Sequence, residues 1–172
     1  MAKRRRHKKH PKFLIIDGCP CPYDIAPYVY LVLRKAGQTA SSIYRGDDAR
    51  ALLHRYGKHT QREIYNDPAY AGKANPPGFS QHELFSDGVG NPHVPRGGRL
   101  EPWQVGIDSG PDTHGGRAAI QAAARHYGWH VKHPYDRGVE LHHWCFHIQP
   151  HPNRFVHKVK IVAVRAWLRR HS

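Results

Sequence analysis

A chain of 172 residues is long enough for one domain with a hydrophobic core and short for two. Its hydrophobic content of 39% excludes wholesale disorder, and no apolar run reaches the ~18 residues that a membrane-spanning helix needs. The formal net charge of +14 suggests a polyanionic partner, such as nucleic acid, an acidic membrane or an anionic cell wall.

The positive charge is concentrated at the two ends of the chain. Residues 1–12 carry seven basic side chains and residues 154–172 carry six, and neither segment has an acidic residue. The body over 13–153 is nearly neutral, with 14 basic and 13 acidic residues. We therefore predict a flexible basic arm over 1–12, one domain over 13–153 and a basic C-terminal segment over 154–172. The ends could bind an anionic polymer or membrane, or serve only as solubilising tails.

Glycine and proline delimit the predicted elements of the first half. Pro20 and Pro22 indicate a loop. Asp24 is placed to cap a helix over 25–36, with Gly37 as its stop. The elements that follow are a strand over 39–45, a helix over 49–56, a short helix over 61–65 and a loop over 66–79.

The second half combines strands with one alanine-rich helix. Its glycine- and proline-rich segment, 89–102, is typical of an exposed loop or flap. The predicted elements are strands over 103–108, 129–131 and 138–146, and a helix over 117–127 that ends at Gly128. The tail over 155–170 fits the periodicity of both a strand and a helix, and its length favours a helix.

Cysteines and most histidines give no further signature. Cys19, Cys21 and Cys145 are an odd set without the spacing of a disulfide framework or a zinc site, so we expect reduced thiols. The other histidines, including His54 and His59, have no partner at ligand spacing and are expected at the surface.

The segment 138–146 holds the residues best suited to catalysis. Glu140 lies three residues before His143, and zinc hydrolases need an imidazole ligand and a carboxylate as general base. Sixteen histidines produce such spacings by chance, so the pair needs further ligands, and His82 and Asp108 are candidates. Residues three apart on a regular strand point to opposite faces, so we expect a bulge or turn between Glu140 and His143.

Four short motifs follow one another within residues 35–147. They are Ser42-Ile43-Tyr44-Arg45, Ser80-Gln81-His82, Gly106-Ile107-Asp108 and Glu140-Leu141-His142-His143. Their order resembles the zinc D-alanyl-D-alanine carboxypeptidase family. That family includes the vancomycin-resistance dipeptidases and the phage L-alanyl-D-glutamate endolysins, and it shares its metal site with the hedgehog signalling domain. The variant of the motifs is most similar to the lysin peptidase domains of actinobacterial phages.

The resemblance implies a zinc site whose ligands are His82, Asp108 and His143. His82 and Asp108 lie 26 residues apart, farther than in the family pattern, so the segment 89–102 would be an insertion. Asp87 is the rival for the aspartate ligand. Asp108 is favoured because its Gly-Ile-Asp context fits the motif better.

The resemblance also implies roles for the other matched residues and a fold. Glu140 would be the catalytic base, and Arg45 would stabilise the developing oxyanion. Ser80 and His142 would contact the substrate. The implied fold is α+β, with a small central antiparallel sheet and helices packed on one side, as in hedgehog and the D-Ala-D-Ala peptidases.

The function expected from this site is zinc-dependent hydrolysis of amide bonds in peptidoglycan stem peptides. The protein would be a monomeric phage endolysin or virion-associated lysin that acts as a D,D-carboxypeptidase or an endopeptidase. Its first apolar patch, Phe13–Ile16, is too short for a signal peptide. We therefore expect synthesis in the host cytoplasm and access to the wall through holin-type release or carriage in the virion.

The alternative is a basic nucleic-acid-binding protein without catalysis. It draws on the charged ends and on aromatic residues such as Trp129 and Trp144. A nearly neutral body and the ordered motifs argue against it, so no specific nucleic acid is expected as a partner.

Overall fold

The computed structural model describes residues 11–78, 80, 82–83, 104–110, 114–132, 143–147 and 155–172. Within these ranges the chain is a mixed α+β structure with two small antiparallel sheets and five α-helices. This confirms the predicted α+β class. None of the helices in these ranges is long and apolar enough to cross a membrane.

An N-terminal hairpin replaces part of the predicted loop. Strand β1 (Phe13–Ile16) pairs antiparallel with strand β2 (Cys19–Pro22). The prediction of a loop around Pro20 was wrong. Proline has no N–H to donate, but β2 lies in a two-stranded sheet, where each strand has one unpaired edge and the missing N–H is tolerated. On the outer side of β2, the carbonyl of Pro20 accepts a hydrogen bond from the Tyr44 N–H at 3.1 Å.

Buried thiols alternate with the prolines of β2. Cys19 and Cys21 are free thiols, as the sequence predicted, and both are fully buried. Burial raises the pKa of the Cys19 thiol to about 11, so it stays protonated and inert at neutral pH. The pair therefore belongs to the core.

Helix α1 (Ala26–Ala36) crosses the core. Its apolar face is buried, and it ends at Gly37 in the left-handed conformation at φ 66°, as predicted. Asp24 does not cap it: the N-cap position is Ile25, which is fully buried. Pro27, in the first turn, has no N–H group. The start of the helix therefore has one fewer N–H for a capping side chain to satisfy.

A four-stranded antiparallel sheet carries the site. Its strands are β3 (Thr39–Ser42), β4 (Gln104–Gly110), β5 (His130–Lys132) and β6 (His143–His147), in the order β3-β4-β6-β5. The predicted strands are confirmed here with shifted ends. Asp108 is opposite Ser42 on one side and opposite His143 on the other. The centre of the sheet therefore brings together residues far apart in the sequence.

Two short helices follow β3 and confirm their predictions. Helix α2 (Arg50–Arg55) extends a 3-10 turn and is followed by Gly57 at φ 66°. Helix α3 (Gln61–Asn66) begins with a capping box between Thr60 and Glu63. The stretch predicted as a loop after α3 contains a short 3-10 turn over Pro68–Tyr70.

Two longer helices pack against α1. Helix α4 (His114–His126) starts three residues before its predicted start. Gly116 is buried on the helix face that also holds Ile120. Helix α5 (Phe155–His171) resolves the ambiguous tail in favour of a helix, and Leu168 anchors it in the core.

Several predictions lie outside the described residues. They concern the arm over 1–10, the flap over 89–102, and the irregularity expected between residues 140 and 143. Lys12, predicted to be in the arm, contacts the domain: its ammonium pairs with Asp48, and its carbonyl accepts from the Tyr23 N–H at 3.0 Å.

Candidate metal centre

Three predicted ligands converge at one end of the four-stranded sheet. Asp108 lies near the end of β4, and His143, the first residue of β6, is its direct partner in the ladder. His82 comes from a turn, and its main-chain carbonyl accepts a hydrogen bond from the Arg45 N–H at 2.7 Å. Sheet register therefore aligns two of the side chains, and a main-chain hydrogen bond beside β3 holds the third.

The distances between the three donor atoms suit a small metal ion. His82 Nε2 lies 3.1 Å from Asp108 Oδ1 and 3.2 Å from His143 Nδ1. His143 Nδ1 lies 2.6 Å from Asp108 Oδ1. Zinc–nitrogen bonds of 2.0–2.1 Å in tetrahedral geometry place ligand atoms about 3.3 Å apart. An ion would therefore fit after the shortest of these distances, between His143 and Asp108, lengthens by about 0.7 Å and the other two by about 0.1–0.2 Å.

The tautomer of His82 is set by its surroundings. Its Nδ1 lies 2.7 Å from the carbonyl oxygen of Ile43, which can only accept, so Nδ1 carries the proton. The lone pair is then on Nε2, which faces Asp108 and His143. Burial first, and then the charge of Arg45, lower the pKa of His82 to about 4. The ring is neutral at pH 7, the form that binds metals.

Asp108 presents its two oxygens to different partners. Oδ1 faces the two imidazoles, and Oδ2 accepts from an Arg45 Nη at 3.2 Å. Burial alone would raise the pKa of Asp108, but the hydrogen bond from His143 Nδ1 and the charge of Arg45 outweigh it. The pKa is held well below its usual range, so the carboxylate is ionised under all physiological conditions.

The three facing atoms carry too few protons to satisfy one another, which favours a cation between these side chains. His82 Nε2 and Asp108 Oδ1 are both acceptors, and His143 Nδ1 can contribute at most one proton to the group. A metal ion can replace that proton and satisfy all three atoms. The buried group could thus hold a metal ion, and two imidazole nitrogens with one carboxylate oxygen suit a borderline cation such as zinc.

A shell of hydrogen bonds supports the ligands. Ser80 is 4% exposed, and its hydroxyl accepts from the His82 N–H at 3.3 Å. The Gln61 N–H donates to the carbonyl of Arg45 at 2.9 Å, which ties the start of α3 to the site. Sequence patterns did not reveal the Ile43 carbonyl or Gln61, because main-chain contacts leave no signature in residue types.

The structure therefore assembles five of the predicted site residues. They are Arg45, Ser80, His82, Asp108 and His143. Glu140, His142 and the rival ligand Asp87 lie outside the described residues. Ser80 is buried beside His82 and braces it, and its predicted contact with substrate stays a prediction.

Comparisons with known proteins do not identify a family for this chain. A scan against protein-family models, a search of curated proteins and a search of solved structures each find no match to this chain. The resemblance carried by the four motifs stays a prediction, and the chemistry of the site is inferred from its own residues.

Proposed function

We propose that the protein is a zinc-dependent peptidase that hydrolyses amide bonds in peptidoglycan stem peptides, as a D,D-carboxypeptidase or an endopeptidase. The observation that carries the proposal is the buried group of His82, Asp108 and His143, with His82 held in the metal-binding tautomer. The order of the four motifs supports the choice of this chemistry. The implied hedgehog-like arrangement, with helices on one side of the sheet, is part of the same proposal.

The ligand set leaves room for catalysis. His82 Nε2, Asp108 Oδ1 and His143 Nδ1 would hold zinc, and three protein ligands are the number found in catalytic zinc sites. Bound zinc would supply Lewis acidity that makes water a nucleophile near neutral pH and polarises the substrate carbonyl. A structural zinc site would require a fourth protein ligand, and among the described residues the group has these three.

Arg45 is suited to stabilise charge that develops on the substrate. Its guanidinium is held 3.2 Å from Asp108 Oδ2, so a fixed positive charge lies in direct contact with one of the three ligands. A guanidinium in a partly buried site strongly favours an oxyanion over a neutral carbonyl. This is the role that the family resemblance gives it.

Proton transfer is assigned to Glu140, which precedes the ligand His143 by three residues. A carboxylate there would take a proton from the attacking water and deliver it to the leaving amine. In the same proposal Ser80 and His142 contact the substrate.

The biological setting proposed is lysis of a bacterial wall by a phage endolysin or a virion-associated lysin. The charge distribution supports an anionic wall polymer or membrane as a second partner. The body is nearly neutral, whereas the C-terminal helix carries Arg165, Arg169 and Arg170.

Metal content and product analysis on the purified full chain would test the proposal. We expect bound zinc, and mass spectrometry of digested peptidoglycan should show peptides cut at one stem-peptide amide bond. Glu140→Gln should retain zinc and lose wall lysis, whereas His82→Ala should lose both. His126→Ala, at an exposed position on α4, is the matched control.

Two outcomes would contradict the proposal. One is undiminished lysis of purified walls by Glu140→Gln. The other is intact walls combined with tight, strongly salt-dependent binding to nucleic acid, which would favour the alternative function.

A further inference from the structure

We propose that His54, His59 and Glu63 form a second, surface site for a transition-metal ion, which clips α2 to α3. Nothing in this inference depends on the peptidase function. One donor atom from each of the three side chains lies within 4.8 Å of the others. The sequence suggested that these histidines were surface residues without partners; they are exposed, but both face the same carboxylate.

The geometry is already close to that of a metal site. His54 Nε2 lies 2.9 and 3.0 Å from the two carboxylate oxygens of Glu63. His59 Nδ1 lies 3.9 Å from Glu63 Oε2. Ligand atoms on one zinc ion are about 3.3 Å apart, so His59 Nδ1 must approach Glu63 Oε2 by about 0.6 Å. Its side chain is 68% exposed, so little packing opposes that movement.

Local structure fixes the carboxylate at the centre of this cluster. Glu63 is the third residue of α3, and its Oε2 accepts from the Thr60 N–H at 2.8 Å. The hydroxyl of Thr60 accepts in return from the Glu63 N–H at 3.3 Å. This capping box holds Glu63 in place in the absence of metal, so only the two imidazoles need to be ordered on binding.

The donor set selects the class of ion. Two imidazole nitrogens and one carboxylate oxygen suit zinc, nickel or copper, whereas magnesium and calcium prefer oxygen ligands throughout. Arg50 Nε lies 3.5 Å from Glu63 Oε1 and competes for the carboxylate. Together with the exposure of both imidazoles, this competition makes the surface site weaker than the buried one.

A metal ion here would have a structural consequence near the buried site. His54 lies in the last turn of α2 and Glu63 in the first turn of α3, so the ion would span the turn between the helices. The first residue of α3, Gln61, donates its N–H to the carbonyl of Arg45. The clip would therefore stiffen the segment that supports Arg45.

Zinc titration of the chelator-stripped full chain tests the inference. Calorimetry should show a weaker class of site in addition to the tight one, and the melting temperature should rise again as the weaker class fills. Replacing both histidines, His54→Ala with His59→Ala, should remove one equivalent and abolish that second rise. The tight class should remain, because the buried ligands are untouched.

Two further variants keep the result interpretable. Glu63→Gln preserves the capping box, which accepts glutamine at this position, but weakens the carboxylate ligand, so zinc affinity at the weaker class should fall. His126→Ala should leave both classes unchanged. An unchanged zinc stoichiometry and affinity in the double-histidine variant or in Glu63→Gln would overturn the inference, while loss of only the tight class in His82→Ala would leave it standing.

Discussion

Asp108 faces His143 directly across the β4–β6 ladder, with His143 Nδ1 2.6 Å from Asp108 Oδ1. Directly opposed residues of an antiparallel pair have adjacent Cβ atoms on the same face of the sheet. The register of two central strands therefore aligns these side chains before any metal is present. His82 completes the group from a turn, held by its contact with the Ile43 carbonyl.

Replacing Asp108 with asparagine should abolish metal binding and destabilise the metal-free fold. The amide keeps the size of the side chain but removes the charge that pairs with the largely buried guanidinium of Arg45. We expect a loss of about 1–3 kcal/mol in the free energy of unfolding, measured by urea denaturation with a chelator present. Asp24→Asn, at an exposed position, should change neither property. Wild-type zinc affinity in Asp108→Asn would contradict the assignment of this ligand.

Acid should destabilise the metal-free protein through His82. Its pKa is about 4 in the folded state against an ordinary 6.5. Between these pH values the unfolded chain binds a proton that the folded protein does not. The contribution of neutral His82 to the free energy of unfolding is therefore complete above pH 6.5 and lost by about pH 4. The difference between the two pKa values corresponds to a loss of at most about 3 kcal/mol in the free energy of unfolding. Urea unfolding at a series of pH values should show this slope, and His82→Gln should flatten it.

Arg45→Lys should lower turnover more than it lowers zinc content. Lysine retains the charge but not the planar array of donors, and loss of an oxyanion donor costs about 10²–10³ in kcat. Steady-state kinetics on a stem-peptide substrate would measure the change. Arg62→Lys alters an exposed ion pair with Asp47 and serves as the control. An unchanged kcat in Arg45→Lys would remove this residue from the proposed mechanism.

Ser80→Ala separates a bracing role from a substrate contact. If the hydroxyl serves only to accept from the His82 N–H, its loss should cost about 1 kcal/mol of stability and weaken zinc binding, with KM unchanged. A raised KM at full zinc occupancy would instead support the substrate contact that the motif predicts. Ser41→Ala, at an exposed position in β3, is the matched control.

Gly46→Ala should disturb the segment that carries Arg45. A Cβ at Gly46 would lie well inside van der Waals distance of the Tyr44 ring, which stacks on Phe13. Overpacking of this kind costs about 1–3 kcal/mol, and thermal unfolding would measure it. Gly110→Ala has no neighbour within 4 Å and should be nearly neutral. Equal melting temperatures for the two variants would refute this explanation.

The amino-acid sequence by itself determined much of the local structure and pointed to the candidate ligands. Helical periodicity and glycine stops placed α1, α2 and α3 within a few residues, because these signals act over one or two turns of chain. The order of the motifs selected His82, Asp108 and His143 from sixteen histidines and thirteen acidic residues.

Tertiary structure decided what depends on long-range pairing. The β1–β2 hairpin formed despite its prolines, because pairing in a two-stranded sheet does not need their missing donors. The Ile43 carbonyl sets the His82 tautomer, and Glu63 joins His54 to His59. Main-chain acceptors look alike in every residue, and strand register is a relation between distant segments. For that reason the sequence could name the candidate ligands, and only the folded chain could orient them.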